Sequence, residues 1–173
     1  MTGLMHRIIT DRKGGAAIEF ALVFPVIFLF YMAAADGFQA YLAQRNVAHL
    51  AATMADITSR NRTVSTAELN DTLGAGVSMM YPLPTLQLQQ RISSISADAN
   101  GAIATDWTVK KDYTPTEAPS VPVGYLRASE SVIVTDVIYD YKPTFAFFLP
   151  KTIRMTRHAY SRPRLSAKVE KVT

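Results

Sequence analysis

Hydrophobic side chains fill residues 14–35 almost without interruption, and this segment holds a single charged residue, Glu19. About 20 apolar residues suffice for a helix to cross the hydrocarbon core of a bilayer, which is about 30 Å thick. The pattern therefore predicts a transmembrane helix over about residues 16–35. A carboxylate inside a membrane costs roughly 3 kcal/mol or more unless something compensates it, so Glu19 is the first candidate for a functional residue.

The helical pattern continues beyond the apolar segment. From Phe38 to Ile57 apolar residues recur near helical spacing with polar residues between them, and no proline follows Pro25 before Pro82. One continuous helix over residues 15–60 is therefore predicted, with an amphipathic second half. At 1.5 Å per residue it is roughly 69 Å long, more than twice the thickness of the hydrocarbon core. The apolar stripe of the second half needs a packing partner.

A short second helix is predicted after the long one. Ser65 and Glu68 have the spacing of a capping box, in which each residue satisfies a free backbone N–H of the other. Gly74 is the predicted end of this helix, because glycine commonly follows the last helical turn. Residues 76–84 are predicted to form a loop.

The periodicity then changes to two, which is typical of strands. Asn100-Gly101 predicts a hairpin turn, and the strand that returns from it is predicted to place three apolar residues on one face: Ile103, Trp107 and Val109. Residues 131–141 and 152–160 are predicted to be strands, with an apolar loop over residues 143–150. The predicted fold class is α+β: a long N-terminal transmembrane and amphipathic helix followed by a small antiparallel sheet of about four strands.

Basic residues before the apolar segment predict its orientation. Arg7, Arg12 and Lys13 precede the segment, and Lys and Arg are scarce in the residues that follow it. Because an excess of Lys and Arg marks the cytoplasmic side, residues 1–14 are predicted to be a cytoplasmic basic leader. Residues 61–173 are then an exported α+β domain, and the chain is a single-pass protein of a bacterial inner membrane.

The exported part ends in a basic tail. Residues 14–141 hold 7 Lys or Arg and 12 Asp or Glu, whereas residues 142–173 hold 8 Lys or Arg and one acidic residue. Basic tails can neutralise the phosphates of nucleic acids or lipids, but only Tyr160 alternates with these charges, which argues against nucleic-acid binding. We expect the tail to be attracted to the acidic body of a neighbouring subunit. Its arginines are Arg154, Arg157, Arg162 and Arg164.

Catalytic and metal-binding patterns are not found in the sequence. The absence of cysteine excludes a disulfide framework, a Cys-based zinc site and a thiol nucleophile. The histidines His6, His49 and His158 have no metal-ligand spacing, and no Gly-x-Ser-x-Gly element is present. Asp136 and Asp140 share a face of a predicted strand, where a carboxylate pair is typical of solvated surface. We expect neither an enzyme nor a cofactor or metal.

The run from Gly14 to Phe20, followed by an apolar segment with the early proline Pro25, resembles the N-terminus of TadE-like proteins. These are minor pilins or pseudopilins of tight-adherence (type IVc) pilus systems. The resemblance implies cleavage by a prepilin peptidase between Gly14 and Gly15, which makes Glu19 the fifth residue of the mature chain. It also implies other pilin-type subunits and a pilus assembly platform in the inner membrane as partners. Phe20 stands where major pilins usually carry tyrosine, which suits a minor subunit.

Elementary electrostatics agrees with that implication. Removing the leader would create a free α-amino group, which the Glu19 carboxylate of an adjacent protomer could neutralise while the helices pack side by side. The small residues Ala16 and Ala17 would allow close approach of the backbones. Pro25 lacks an N–H, so it would bend the helix or let it melt locally.

Three alternatives stay open at this point. Glu19 follows Lys13 closely enough to lie at the level of the lipid headgroups without any function. Ala33-Ala34-Ala35 before Asp36 also fits a signal-peptide cleavage site, which would leave a secreted soluble domain. The chain could finally be a permanently anchored binding module with the long helix as a stalk.

Overall fold

One long helix and a four-stranded antiparallel sheet make up most of the computed structural model, which describes residues 14–172. The helices are α1 (Gly15–Ser59) and α2 (Thr66–Met79). The strands are β1 (Thr63–Ser65), β2 (Leu88–Ala97), β3 (Ile103–Lys111), β4 (Ser131–Tyr141), β5 (Ile153–Ser161) and β6 (Glu170–Val172). The predicted α+β fold and the predicted extent of the long helix are confirmed.

The four long strands form one sheet in the order β3-β2-β4-β5, in which every neighbouring pair is antiparallel. The predicted hairpin joins β2 and β3, with Gly101 in the left-handed region at φ 83°. The carboxylate of Asp98 closes this turn by accepting hydrogen bonds from the backbone N–H groups of Asn100 and Ala102, both at 2.8 Å. A separate parallel pair of β1 and β6, which the sequence pattern did not predict, joins the C-terminal segment to the residues after α1.

The second half of α1 packs on one face of the sheet, which we call the inner face. Its core residues are Ala43, Val47, Leu50, Ala51 and Met54. They share one hydrophobic core with residues of β4 and α2: Ile133, Val137, Tyr139, Leu69 and Leu73. The hydroxyl of Thr135 also donates a 2.7 Å hydrogen bond to the carbonyl oxygen of Ala51. The sheet is thus the packing partner that the apolar stripe of α1 requires.

The opposite, outer face of the sheet is covered by the connection between β3 and β4. This connection spans residues 112–130 and contains no helix or strand, as the prolines predicted for residues 114–123. Three of its residues, Val121, Tyr125 and Leu126, pack against three residues of the outer face: Ile95, Val132 and Val134. The central strands β2 and β4 are therefore buried on both faces, which explains the nearly continuous burial along them.

The predicted end of the second helix at Gly74 is wrong, as is the predicted start of the loop at residue 76. The capping box of Ser65 and Glu68 is confirmed, but α2 continues through both of its glycines to Met79. Gly76 faces α1, where an added Cβ would lie 2.8 Å from Leu50 Cδ1 and would collide with a side-chain oxygen of β2. Glycine at this position permits close packing between two helices and a strand, so it does not signal a helix end.

The prediction that Ile103 shares a face with Trp107 and Val109 is also wrong. The pairing of β2 with β3 shifts by one residue, so that Asp106 is the extra residue of a β-bulge. A one-residue shift moves the side chains beyond it to the other face of the sheet. Trp107 and Val109 consequently pack against the inner core, whereas Ile103 is exposed.

Candidate functional site

The first half of α1 is exposed over its whole circumference. Every residue of the range 14–31 is exposed, including the small residues Ala16 and Ala17. The most apolar stretch of 18 residues in α1 contains no buried residue. Residues 15–35 extend over roughly 32 Å, close to the thickness of a hydrocarbon core. A helix that is apolar all round needs an apolar environment outside its own chain. By length and composition, α1 fits a single-pass membrane anchor.

The predicted processing site lies at the start of this exposed helix. Gly14 occupies the N-cap position of α1, and Gly15 is the first helical residue. A Cβ added to either glycine would meet no atom within 4 Å, so none of the described residues crowds this peptide bond. The predicted topology residues Arg7, Arg12 and Lys13 lie outside the described residues.

Glu19 lies in the second turn of α1 and is exposed. Its neighbours one turn away on the helix are small or aliphatic: Gly15, Ala16, Leu22 and Val23. Within residues 14–172, none of the ion pairs includes Glu19. The carboxylate therefore stands on an apolar helix surface to which the folded domain supplies no cation.

An aromatic ladder begins beside this carboxylate and runs along the same helix. The ring centroids of Phe20 and Phe24 are 5.6 Å apart, and those of Phe24 and Phe28 are 5.8 Å apart. Pro25 lies next to the ladder, yet the chain stays helical on both sides of it. Of the two predicted effects of Pro25, a bend or local melting, the structure does not show melted backbone, and a continuous helix presents the ladder.

Asp36 marks the boundary between the exposed and the packed half of α1. Its side chain is buried, and its carboxylate accepts hydrogen bonds from three consecutive backbone N–H groups: Thr144 at 3.0 Å, Phe145 at 3.2 Å and Ala146 at 2.9 Å. Burial raises the pKa of the neighbouring Tyr141, and the negative charge of Asp36 raises it further. The sequence pattern indicated Asp36 only as the residue after a possible cleavage site, because its partners lie more than a hundred positions away.

The basic tail folds back onto its own chain. Arg154 makes a two-pronged ion pair with Asp140, with N···O distances of 2.8 and 2.9 Å, and this hydrogen bonding lowers the pKa of the carboxyl group. Arg157 donates to the carbonyl oxygen of a neighbouring residue in β5. Among the described residues, three further ion pairs join the tail to the body: Arg162 with Glu130, Arg164 with Asp56 and Lys168 with Asp106. Arg154, Arg162 and Arg164 thus have acidic partners within their own chain, whereas the expected attraction of the tail to a neighbouring subunit stays a prediction.

The interpretation of Asp136 as solvated surface is wrong. Asp136 is buried between its two cross-strand partners, Arg91 of β2 and His158 of β5. The distances are 2.6 Å from Arg91 Nε to Oδ2 and 2.6 Å from His158 Nδ1 to Oδ1. Arg91 also lies over the ring of Tyr113, with its guanidinium carbon 4.5 Å from the ring centroid, and donates to the carbonyl oxygen of Glu117.

This cluster, in which Asp136 and Arg91 are buried and His158 is half exposed, attaches the irregular connection to the outer face of the sheet. Its charges are paired and hydrogen-bonded within the chain, which is the condition under which buried charges are tolerated. In the part of the chain that the structure describes, no group of three or more possible metal ligands occurs. The register of three strands creates the cluster, so only a correct alignment of β2, β4 and β5 would have revealed it.

The described residues form a small α+β domain and an exposed N-terminal helix that fits a single-pass membrane anchor. Residues 14–56 match the family model described as TadE-like protein, which confirms the resemblance seen at the N-terminus. The matched segment lies almost entirely within α1 and leaves the sheet outside the match. No curated protein and no solved structure matches the chain.

Proposed function

We propose that this chain is a minor pilin-like subunit of a tight-adherence (type IVc) pilus and that it acts by assembly with other subunits. The observation that carries the proposal is the exposed first half of α1, which matches the TadE-like model and bears the carboxylate of Glu19 on its apolar surface. A folded domain that covers only the second half of its helix leaves the first half available for lipid before assembly and for other helices afterwards.

A prepilin peptidase is the first proposed partner. Cleavage between Gly14 and Gly15 would remove the basic leader and leave an α-amino group four residues before Glu19. The open surroundings of this peptide bond among the described residues support such access. The chain itself performs no reaction in this proposal; it presents the bond, and its helix later holds the subunit in place.

Other pilin-type subunits are the second class of partner. Within a bundle of apolar helices, the Glu19 carboxylate of one chain would pair with the α-amino group of the next, because neither charge is tolerated alone in an apolar medium. Ala16 and Ala17 would let the backbones approach closely, and the ladder from Phe20 to Phe28 would pack along the neighbouring helix. The assembly platform in the inner membrane would receive the processed helix, with its new N-terminus on the cytoplasmic side.

Replacement of the carboxylate by its neutral isostere tests the proposal. In cells that carry the complete pilus system, Glu19→Gln should abolish assembled fibres in electron micrographs while the protein still resists carbonate extraction from membranes. Asp71→Asn is a matched control, because Asp71 is also an exposed helical carboxylate but lies on α2 in the domain. Normal piliation of the Glu19→Gln strain would contradict the proposal and favour a stalk that merely anchors the domain.

A further inference from the structure

We propose that the loop of residues 142–151 is a second membrane contact of this protein, in which Phe145, Phe147 and Phe148 enter the interfacial layer of the bilayer beside α1. We call this segment the aromatic loop. The inference requires that α1 spans the membrane, but it does not depend on a role in a pilus. Normal piliation of the Glu19→Gln strain would therefore leave it standing.

Asp36 holds the aromatic loop against α1. Its two carboxylate oxygens accept N–H groups of Thr144, Phe145 and Ala146 at 2.9 to 3.3 Å. Ala146 has a φ of 50°, a left-handed conformation that is unfavourable for a residue with a Cβ. The hydrogen bonds to Asp36 support this conformation, so the loop has a defined position on the helix.

The course of β4 places the aromatic loop at the membrane end of the domain. Thr135 near the middle of β4 contacts Ala51, whereas the residues just after β4 contact Asp36. The strand therefore runs towards the N-terminus of α1, over a helix length of roughly 22 Å between Ala51 and Asp36. The loop emerges where the apolar segment of about residues 16–35 ends.

The side chains of the aromatic loop have the chemistry of a membrane interface. Phe147 and Phe148 are 66% and 65% exposed, although large aromatic side chains in a water-soluble domain are mostly buried. Lys142 and Lys151 flank them and are exposed, which suits contact with lipid phosphates while the rings lie deeper. Phe38, about half a turn beyond Asp36 on α1, is exposed as well.

A second loop at the same end adds to this surface. Leu88 at the start of β2 pairs with Tyr139 near the end of β4, so residues 80–87 emerge beside the aromatic loop. Tyr81 and Leu86 in this segment are 84% and 91% exposed. The apolar exposed side chains of two loops thus lie near the point where α1 leaves the domain.

Lipid is the occupant that the geometry favours. If residues 16–35 lie in the hydrocarbon core, Asp36 lies at the interface, and its hydrogen bonds bring the aromatic loop to the same depth. This contact exists for every inserted chain, whereas a second copy would cover the loop only after assembly. The exposed rings thereby extend the apolar surface of the spanning segment to the edge of the domain.

Spin labels can measure the depth of the loop, because the chain has no cysteine and a single introduced cysteine is labelled specifically. The full chain with Phe148→Cys would carry a nitroxide in vesicles of phosphatidylethanolamine and phosphatidylglycerol at high lipid-to-protein ratio. Accessibility to oxygen and to a water-soluble nickel chelate gives the depth. We expect oxygen accessibility to exceed nickel accessibility at residue 148.

Val123→Cys is the matched control, since Val123 is fully exposed but lies in the connection on the outer face of the sheet. Its label should be more accessible to nickel than to oxygen. Adding Asp36→Ala to Phe148→Cys should shift the loop label towards the values at residue 123, because the loop loses its attachment. Equal nickel accessibility at residues 148 and 123 would overturn the inference, and so would low accessibility of residue 148 to both reagents, which would indicate a protein contact instead.

Discussion

The two halves of α1 belong to one continuous helix but have opposite surroundings. Residues 14–31 are exposed throughout, whereas Val47, Leu50 and Met54 are buried in the core that α1 shares with the sheet and with α2. The first half is apolar on all sides, as is typical of a helix in an apolar medium. The second half is apolar along one stripe only, as is typical of a helix that packs on a water-soluble domain. Asp36 lies at the change from one to the other.

This difference separates the stability of the domain from the assembly of the helix. The second half contributes to folding through contacts within the chain, so its substitutions should change the free energy of unfolding. Residues 14–31 of the first half are exposed and lie outside the core that the described residues form, so their substitutions should act only where lipid or other helices surround them. The match to the TadE-like model, over residues 14–56, includes residues of both halves.

The largest expected effect comes from leucine truncation in the packed half. Leu50→Ala should lower the free energy of unfolding by about 2–5 kcal/mol, because it leaves a cavity among α1, α2 and the sheet. Urea unfolding of the full chain in a non-ionic detergent, followed by the fluorescence of Trp107, measures this value.

Leu22→Ala is the counterpart of Leu50→Ala in the exposed half of the same helix, where Leu22 is 78% exposed. We expect its unfolding midpoint to equal that of the unsubstituted chain within experimental error, since no contact of the domain is lost. Equal decreases in the free energy of unfolding of Leu22→Ala and Leu50→Ala would show that the two halves of α1 do not differ in the way the structure indicates.

A smaller effect is expected from the two glycines of α2. Gly76→Ala should destabilise the domain by about 1–3 kcal/mol, because the added Cβ would force Leu50 and Gln90 to move. Gly74→Ala meets no atom within 4 Å, so it should be neutral or stabilise the helix by up to about 1 kcal/mol. Thermal unfolding measures the change in stability of both variants. If both substitutions changed the stability in the same direction, this would be evidence against the close packing of α2 on α1.

The smallest expected effect is a decrease in the free energy of unfolding at acidic pH, caused by two carboxylates of the folded domain. Hydrogen bonds from Arg154 and Ser65 lower the pKa values of Asp140 and Glu68 below their ordinary values of 3.8 and 4.5. The unfolded chain therefore binds protons more readily, so this contribution is complete above the ordinary values and is lost as the pH falls below them. Unfolding midpoints measured from neutral pH down to the acid range reveal it.

The double variant Asp140→Asn and Glu68→Gln is the control for the acid effect. Its midpoint should depend less on pH over the same interval than that of the unsubstituted chain. An unchanged pH dependence would assign the loss of stability to other carboxylates.

Local patterns predicted those parts of the fold that local forces determine. The apolar run and the lack of a proline between Pro25 and Pro82 indicated the extent of α1, and the Val- and Ile-rich run indicated β4 with the bounds 131–141. The capping box of Ser65 indicated the start of α2, because the hydrogen bonds involved join residues only three positions apart.

Contacts between distant segments explain what the sequence pattern did not predict. The sequence pattern predicts Gly76 as a loop residue. The structural reason for this glycine is its closeness to Leu50, which lies in another helix and cannot be inferred from the local sequence. The bulge at Asp106 reverses a face without any change in residue type. In the candidate site, Glu19 could be singled out because its own segment is apolar, whereas the role of Asp36 depends on a loop at residues 144–146.

The mass of the mature protein tests the proposed role of the exposed helix most directly. Intact-mass spectrometry of the protein extracted from the membranes of its own cells should give a chain that begins at Gly15, with Glu19 as the fifth residue. A Gly14→Val variant should keep the full leader and serve as the uncleaved standard. A mature chain that begins at Met1 or at Asp36 would contradict the proposal that leader removal prepares this helix for assembly.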